Sequence, residues 1–261
     1  MPGQQQVSAS GGKFDPNVDP GPVNPPAIFE PSSALTGGLA QVWVAASGGA
    51  NWGGALVSIS FDGANFSNIG YLTAPAYQGV LTAALPAASG LDTTDTLGID
   101  LSESVGIFPT AASDADANAF RTLCYLCPAF TSAAPSNGEL LSYGAVSATG
   151  TYTSNLTYLQ RGLYGTGGSA HASAAFFTRI DLGGIDTPPN SVLTYDLPAA
   201  YIGAAFSLKF QSFNVFGNAL EDISTVTEYN YTPSGAATAP AGASPRAAAR
   251  SRSPPRIPTS M

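Results

Sequence analysis

Apolar and polar positions alternate along this chain in short runs, and clusters of Gly, Pro, Asn, Asp and Ser interrupt the runs at close intervals. A period of two is the signature of strands, whose successive side chains face opposite sides of a sheet. The first run, 39–45, places Gln41, Trp43 and Ala45 on one side and Val42 and Val44 on the other, so both sides of this strand are expected to be covered. Runs 55–61 and 66–72 flank Asp62-Gly-Ala-Asn65, and Asp-Gly between two alternating runs predicts a hairpin. Further strands are predicted at 79–83, 96–101, 121–126, 139–146, 151–159, 175–181, 191–196, 205–216 and 225–231, the last two as a closing hairpin with a turn at Gly217 and Asn218. Only 113–120 carries a helix start, with Ser113 as N-cap and Asp114 and Asp116 in the first turn. Long stretches of period 3.6 are missing, which predicts an all-β fold: an antiparallel sandwich or barrel-like assembly rather than alternating strands and helices.

The two ends break the pattern. Residues 1–33 hold Gln4-Gln-Gln6, Gly11-Gly12 and Asp19-Pro-Gly-Pro-Val-Asn-Pro-Pro26, too few apolar groups to offset ordering entropy, and read as a linker or arm. Residues 236–261 are rich in Ala, Pro, Ser and Arg and read as a disordered tail. The β region between them, 34–235, is expected to contain two sub-domains divided near 128–137.

Composition sharpens this picture. Charged residues are 10% of the 261 residues and the formal net charge is −8. Four of the nine basic residues (Arg246, Arg250, Arg252 and Arg256) lie in the tail, so residues 1–235 carry −12. A body of that charge repels phosphate backbones and argues against nucleic acid as its partner. A basic tail that binds DNA is the rival reading, and it predicts salt-dependent binding lost on tail removal. No run approaches eighteen apolar residues, and residues 1–10 lack the charged-then-apolar pattern of a secretory signal.

Candidate chemistry is sparse. Cys124 and Cys127 form a Cys-x-x-Cys spacing, but a structural zinc site takes four ligands and the chain adds one remote histidine. Three positions apart in a strand, the two thiols face opposite sides and read as reduced, half-buried cysteines. Asp92, Asp95, Asp100, Glu103, Asp114 and Asp116 suggest a calcium site, yet their spacing does not match an EF-hand loop and carboxylates among strands usually face solvent. No metal or cofactor is called for. No Gly-x-Ser-x-Gly elbow or phosphate-binding Gly-x4-Gly-Lys-Ser/Thr is present, while paired carboxylates for glycan hydrolysis meet in space and are not readable along the chain. Trp43, Trp52, Tyr71, Tyr77, Tyr158 and Tyr164 can stack on sugars, but most such rings pack sheet faces.

The densest chemistry is Leu156-Thr-Tyr-Leu-Gln-Arg-Gly-Leu-Tyr-Gly-Thr166 followed by His171, the only histidine. Gly162, Gly165, Gly167 and Gly168 allow this loop to bend where residues with a Cβ cannot. Arg161 and His171 read either as a ligand or catalytic pair, or as a structural device in which Arg161 holds the turn through its donors and His171 is a polar neighbour. The structural reading predicts that Arg161→Ala lowers stability and His171→Ala leaves it nearly intact.

A series of ordered blocks then carries a resemblance: 35–49; Asn51-Trp-Gly-Gly54 with Ser60-Phe-Asp-Gly-Ala-Asn-Phe66; Gly138-Glu-Leu-Leu-Ser-Tyr-Gly144; 156–166 with Ala170-His-Ala172; and Leu208-Lys-Phe-Gln-Ser-Phe-Asn-Val-Phe-Gly217. In this order, over about 34–235, they resemble the C-terminal region of large phage tail proteins related to the tail-tip "megatron" of gene transfer agents. The resemblance implies a virion structural protein of the phage or prophage tail tip or baseplate. It implies synthesis in the host cytoplasm without a signal peptide, oligomeric assembly with other tail proteins, and engagement of the host surface, with cell-surface polysaccharide as a candidate partner. It carries over no catalytic residues, so no enzyme activity is expected; the alternative is a glycan-degrading or glycan-binding tail enzyme or adhesin.

Overall fold

The computed structural model describes residues 15–106, 108, 111–128, 138–180 and 190–235. The chain lays down β1 (Ala27–Phe29), a one-turn helix α1 (Ser33–Thr36), β2 (Gln41–Ala45), β3 (Trp52–Ser60) and β4 (Ser67–Leu72). It continues through β5 (Gln78–Leu81), β6 (Gly90–Asp92), β7 (Leu97–Asp100), α2 (Asp114–Asn118), β8 (Cys124–Cys127), β9 (Glu139–Ala148), β10 (Thr153–Arg161) and β11 (Phe176–Arg179). It ends with β12 (Val192–Asp196), β13 (Phe206–Asn214) and β14 (Glu228–Tyr231). The fold is all-β, with antiparallel pairing throughout the named strands.

The sequence pattern left sandwich and barrel open, and the chain builds both. Strands β10, β7, β5, β11, β8 and β9 hydrogen-bond in that order and β9 returns to β10, which closes a six-stranded barrel. Before and after the barrel, the chain forms a three-stranded sheet, β1-β2-β12, and a four-stranded sheet, β14-β13-β3-β4. Val42 and Val44 of β2 face the four-stranded sheet, meeting Val57, Ile59, Leu208 and Phe210. Trp43 and Ala45 face the other way with Ala27 and Phe29, against Tyr125, Cys127, Leu140 and Phe176 on the barrel's outer wall. The three-stranded sheet is thus covered on both sides, as the run 39–45 predicts.

Two expectations change. Part of the predicted linker 1–33 is a strand: β1 pairs with β2, and Ala27 and Phe29 are buried, with Phe29 stacked 4.3 Å from Tyr125. Three residues are too short a run for periodicity to register, and the prolines before them masked it. The division near 128–137 falls between β8 and β9, which pair side by side in one barrel, so the sheets change instead between β4 and β5 and again between β11 and β12. The predicted arms at 1–14 and 236–261, and residues 129–137, lie outside the described residues.

Local chemistry follows the sequence in several places. Asp62 Oδ1 accepts the N–H groups of Ala64 and Asn65 and the hydroxyl of Ser60, and these bonds fix the β3–β4 hairpin and hold its carboxyl well below the usual range. Ser113 caps α2, accepting from the N–H of Asp116. Cys124 faces the barrel interior and Cys127 the layer outside it, so the thiols diverge as predicted, though both are fully buried rather than half-buried.

The strand that positions the candidate site is irregular. Leu156 and Leu159 of β10 both point into the barrel, although residues three apart on a regular strand face opposite sides. Tyr158 makes this possible with a left-handed backbone, φ 56°, a conformation costing a non-glycine residue about 1–2 kcal/mol. Opposite it on β9, a Cβ on Gly144 would lie 2.9 Å from the Tyr158 ring and 2.7 Å from Asp114, so only glycine fits under α2. The inversion puts Arg161, two residues after Leu159, on the interior side. Without it, Gln160 would face in and Arg161 out.

Candidate functional site

Arg161 ends β10, and its neighbours across the sheet are acidic. Leu159 lies opposite Asp92 of β6 and opposite Tyr143 of β9. On the inward face Arg161 is therefore flanked by Asp92 on one strand and by Glu139, two registers beyond Leu141, on the other. Diagonal neighbours on one face are within reach of long side chains. The guanidinium donates to Glu139 through Nε (2.6 Å to Oε1) and Nη2 (2.9 Å to Oε2), a two-point fork. Its remaining donors go to the carbonyls of Pro86 (3.1 Å) and Ser169 (2.9 Å), and Nη1 sits 3.5 Å from Asp92 Oδ2.

His171 completes the cluster. It bridges to Leu85 through both backbone hydrogen bonds, and its Nε2 lies 2.8 Å from Glu139 Oε2. The N–H of Gly162 donates to Glu139 Oε1 at 3.1 Å. Glu139 therefore accepts four bonds from three residues. Burial acts to raise its carboxyl, but the His171 bond, the Arg161 bonds and charge, and the Gly162 N–H together hold it below its ordinary value. Asp92 behaves alike: burial opposes its ionisation, and the N–H groups of Asp95 and Thr94, the Thr94 hydroxyl and the Arg161 charge prevail. An ionised Glu139 only accepts, so His171 Nε2 carries the hydrogen and Nδ1 is left without a hydrogen-bond partner among the described residues.

The two sequence-predicted residues are brought together, through Glu139 rather than directly. The arrangement is closed: the side chains of Arg161, Glu139 and His171 have no exposed surface and that of Asp92 has 3%. It ties β6, β9 and β10 to the segments 85–88 and 168–171 that cross one end of the barrel. The glycines serve this crossing. A Cβ on Gly168 would sit 1.6 Å from the carbonyl of Ala88, while Gly162 takes the left-handed turn at φ 65°. An Arg between two carboxylates, all shut from solvent, can hold strands together, but it offers no open carboxyl to a substrate.

Sequence reading missed Glu139 and misplaced Asp92 at the solvent face. A signal for Glu139 was available: it shares the inward phase of Leu141 and Tyr143, and a carboxylate in phase with core residues needs a buried cation. Asp95, Asp100, Glu103, Asp114 and Asp116 do not join Asp92, and the described residues hold no group of three or more metal-ligating side chains. Arg179, also unanticipated, lies inside the barrel with its guanidinium carbon 5.8 Å from the Phe108 ring and 5.9 Å from that of Tyr143. Among the described residues, no helix is long and apolar enough to cross a membrane. Compared with known proteins, the chain matches no family model and no curated sequence.

Proposed function

We propose that this chain is a structural module of a phage or prophage tail tip or baseplate, presenting a rigid β scaffold and its loops for tail assembly and host-surface attachment. The observation that supports a scaffold over a catalyst is the sealing of its densest chemistry. Arg161 and Glu139 spend their hydrogen-bonding groups on each other, on His171 Nε2 and on the backbone, and the side chains of all three residues have no exposed surface. A glycan hydrolase needs two carboxyls facing a groove large enough for a sugar. Asp92 and Glu139 instead share one arginine inside the barrel end. The resemblance of the blocks over 34–235 supplies the tail assignment itself.

In this reading the chain works with other tail proteins, as part of an oligomeric tip, in the virion. Mass spectrometry of particles purified after prophage induction tests it: the chain should appear in intact virions at a ratio comparable to other tail subunits. Abundant intact virions without it would refute the assignment.

A further inference from the structure

Residues 15–22, Asp-Pro-Asn-Val-Asp-Pro-Gly-Pro, are held to the body without joining a strand. Three prolines remove donors from these eight positions, so the stretch cannot supply one side of a regular ladder. Its own N–H groups are spent on itself. Those of Asn17 and Gly21 go to the carboxylates of Asp15 and Asp19 at 2.9 Å each, and that of Val18 closes a turn on the Asp15 carbonyl at 3.3 Å. Asp followed by Pro suits the first two positions of such a turn. What the segment offers the body is carbonyl oxygen: Asn214 Nδ2 donates to Pro16 O at 2.9 Å and to Val18 O at 2.8 Å, and Asn218 Nδ2 donates to Pro16 O at 3.3 Å. Pro20 is buried, while Asp15, Pro16, Asn17, Asp19 and Pro22 are exposed.

The receiving amide is held in place by its own loop. Asn214 ends β13 with no exposed surface, and its Oδ1 accepts the N–H groups of Phe216 (3.0 Å) and Asn218 (2.9 Å). Its backbone N–H and carbonyl close the same turn with Asn218 and Gly217 at 2.8 Å each. These bonds fix the plane of the amide, so Nδ2 keeps its aim whether or not residues 15–22 are seated. We infer that Asn214 is the reading end of a docking site for Asp-Pro turn segments, which the chain's own residues 15–22 fill as a displaceable internal ligand. Each proline fixes φ and each aspartate ties down a turn, so such a peptide loses little entropy on docking and needs few contacts. Firm attachment begins two residues closer to β1, where Val23 bridges Gly48 and the Asn24 amide donates to Ser47 Oγ and to the Glu103 carbonyl. Residues 15–22 can therefore leave while β1 stays paired. Charge does not drive the docking, because the segment is acidic and so is the chain, at −8. The inference does not rest on the tail assignment.

The test uses the full-length chain with residues 15–22 replaced by alternating Gly and Ser, and a fluorescein-labelled synthetic peptide of the native 15–22 sequence as the probe. The replaced chain should keep a cooperative thermal transition by circular dichroism. Fluorescence anisotropy should show the peptide binding it, and binding the wild-type chain at least about tenfold more weakly, because there the site is already filled. Adding Asn214→Asp to the replaced chain should abolish binding: aspartate still accepts the Phe216 and Asn218 N–H groups but has no donor for the peptide carbonyls. A peptide with both aspartates changed to alanine loses its turn bonds and should bind the replaced chain about tenfold more weakly, a readout that does not depend on the folding of a protein variant. A replaced chain that fails to fold overturns the inference, since the segment would then be part of the core. So does a dissociation constant above about 1 mM for the replaced chain, or equal binding to replaced and wild-type chains. Binding that survives Asn214→Asp, or that is indifferent to the two aspartates, overturns it as well.

Discussion

Replacing Arg161 with alanine should be among the most damaging single changes in this protein. The guanidinium gives two bonds to Glu139 and one each to the Pro86 and Ser169 carbonyls, and it faces Asp92 at 3.5 Å. Its loss leaves two carboxylates and two carbonyls buried and short of partners. Removing one member of a buried ion pair costs roughly 3–5 kcal/mol, because the stranded charge keeps its desolvation penalty. Here two carboxylates are stranded, but Glu139 can take up a proton, which limits the cost, so about 4 kcal/mol is expected. For a chain of this size that lowers the melting temperature by roughly 8–16 °C. Urea unfolding followed by tryptophan fluorescence measures it, with an unchanged slope showing that the unfolding transition itself is the same. A loss below about 1 kcal/mol, the range of an exposed pair, would falsify the lock. The double variant Arg161→Met with Glu139→Leu should regain part of the loss, since it removes one stranded carboxylate together with the guanidinium and leaves only Asp92 without its cation. His171→Ala deletes one bond to a buried carboxylate and should cost about 1.5–3 kcal/mol, which replaces the expectation that it leaves stability nearly intact.

Acid should unfold the protein through the same cluster. Glu139 and Asp92 titrate below their ordinary values of 4.5 and 3.8 in the folded state, so their contribution is fully present above about pH 4.5 and is lost as pH falls through the folded values. Melting temperature recorded from pH 7 to 3 should fall less steeply in the Arg161→Met, Glu139→Leu double variant, while Asp62 and Asp222, held down by turn N–H groups, keep a residual slope in both. Gly168→Ala forces a Cβ to 1.6 Å from the Ala88 carbonyl and should destabilise by more than about 2 kcal/mol in the same urea assay. Cys124 and Cys127, buried on opposite faces of β8, should react with a thiol reagent only at the rate of unfolding and form no disulfide with each other under mild oxidant. Thr178 Oγ1 is buried without a partner among the described residues, so Thr178→Val should leave stability unchanged or raise it by up to about 1 kcal/mol, measured by calorimetry.

How far the sequence could be read depended on whether the information was local. The β3–β4 hairpin was legible because Asp62 and Gly63 carry the turn themselves, and the two-sided burial of β2 was legible because its alternation has no polar side. β6 and β1 were not, since three residues give periodicity nothing to repeat over. Closure of the barrel was hidden as well: β10 meets β9 next to it in sequence but also β7 and β6, more than fifty residues earlier. For the cluster, Arg161 and His171 stood out by rarity, while Glu139 was lost among apolar neighbours and Asp92 was grouped with acids whose carboxylates do not join it in the site. Charge counting treats carboxylates as equivalent, and only the inward phase of a strand distinguishes a buried one.

That phase is itself set at one residue. An unbroken alternation through Leu156 would send Gln160 into the barrel and Arg161 to solvent, leaving Glu139 buried with no cation and an amide among leucines. The left-handed turn at Tyr158 reverses both assignments at once. Leaving Glu139 buried without its cation would cost roughly 3–5 kcal/mol against about 1–2 kcal/mol for one such turn, so the folded chain tolerates the strain. What the strain does not require is tyrosine, because glycine would invert the strand more cheaply. The interior lock explains why β10 inverts; the Tyr158 ring at the inversion is partly buried over Gly144, and its hydroxyl accepts from the Asn118 amide.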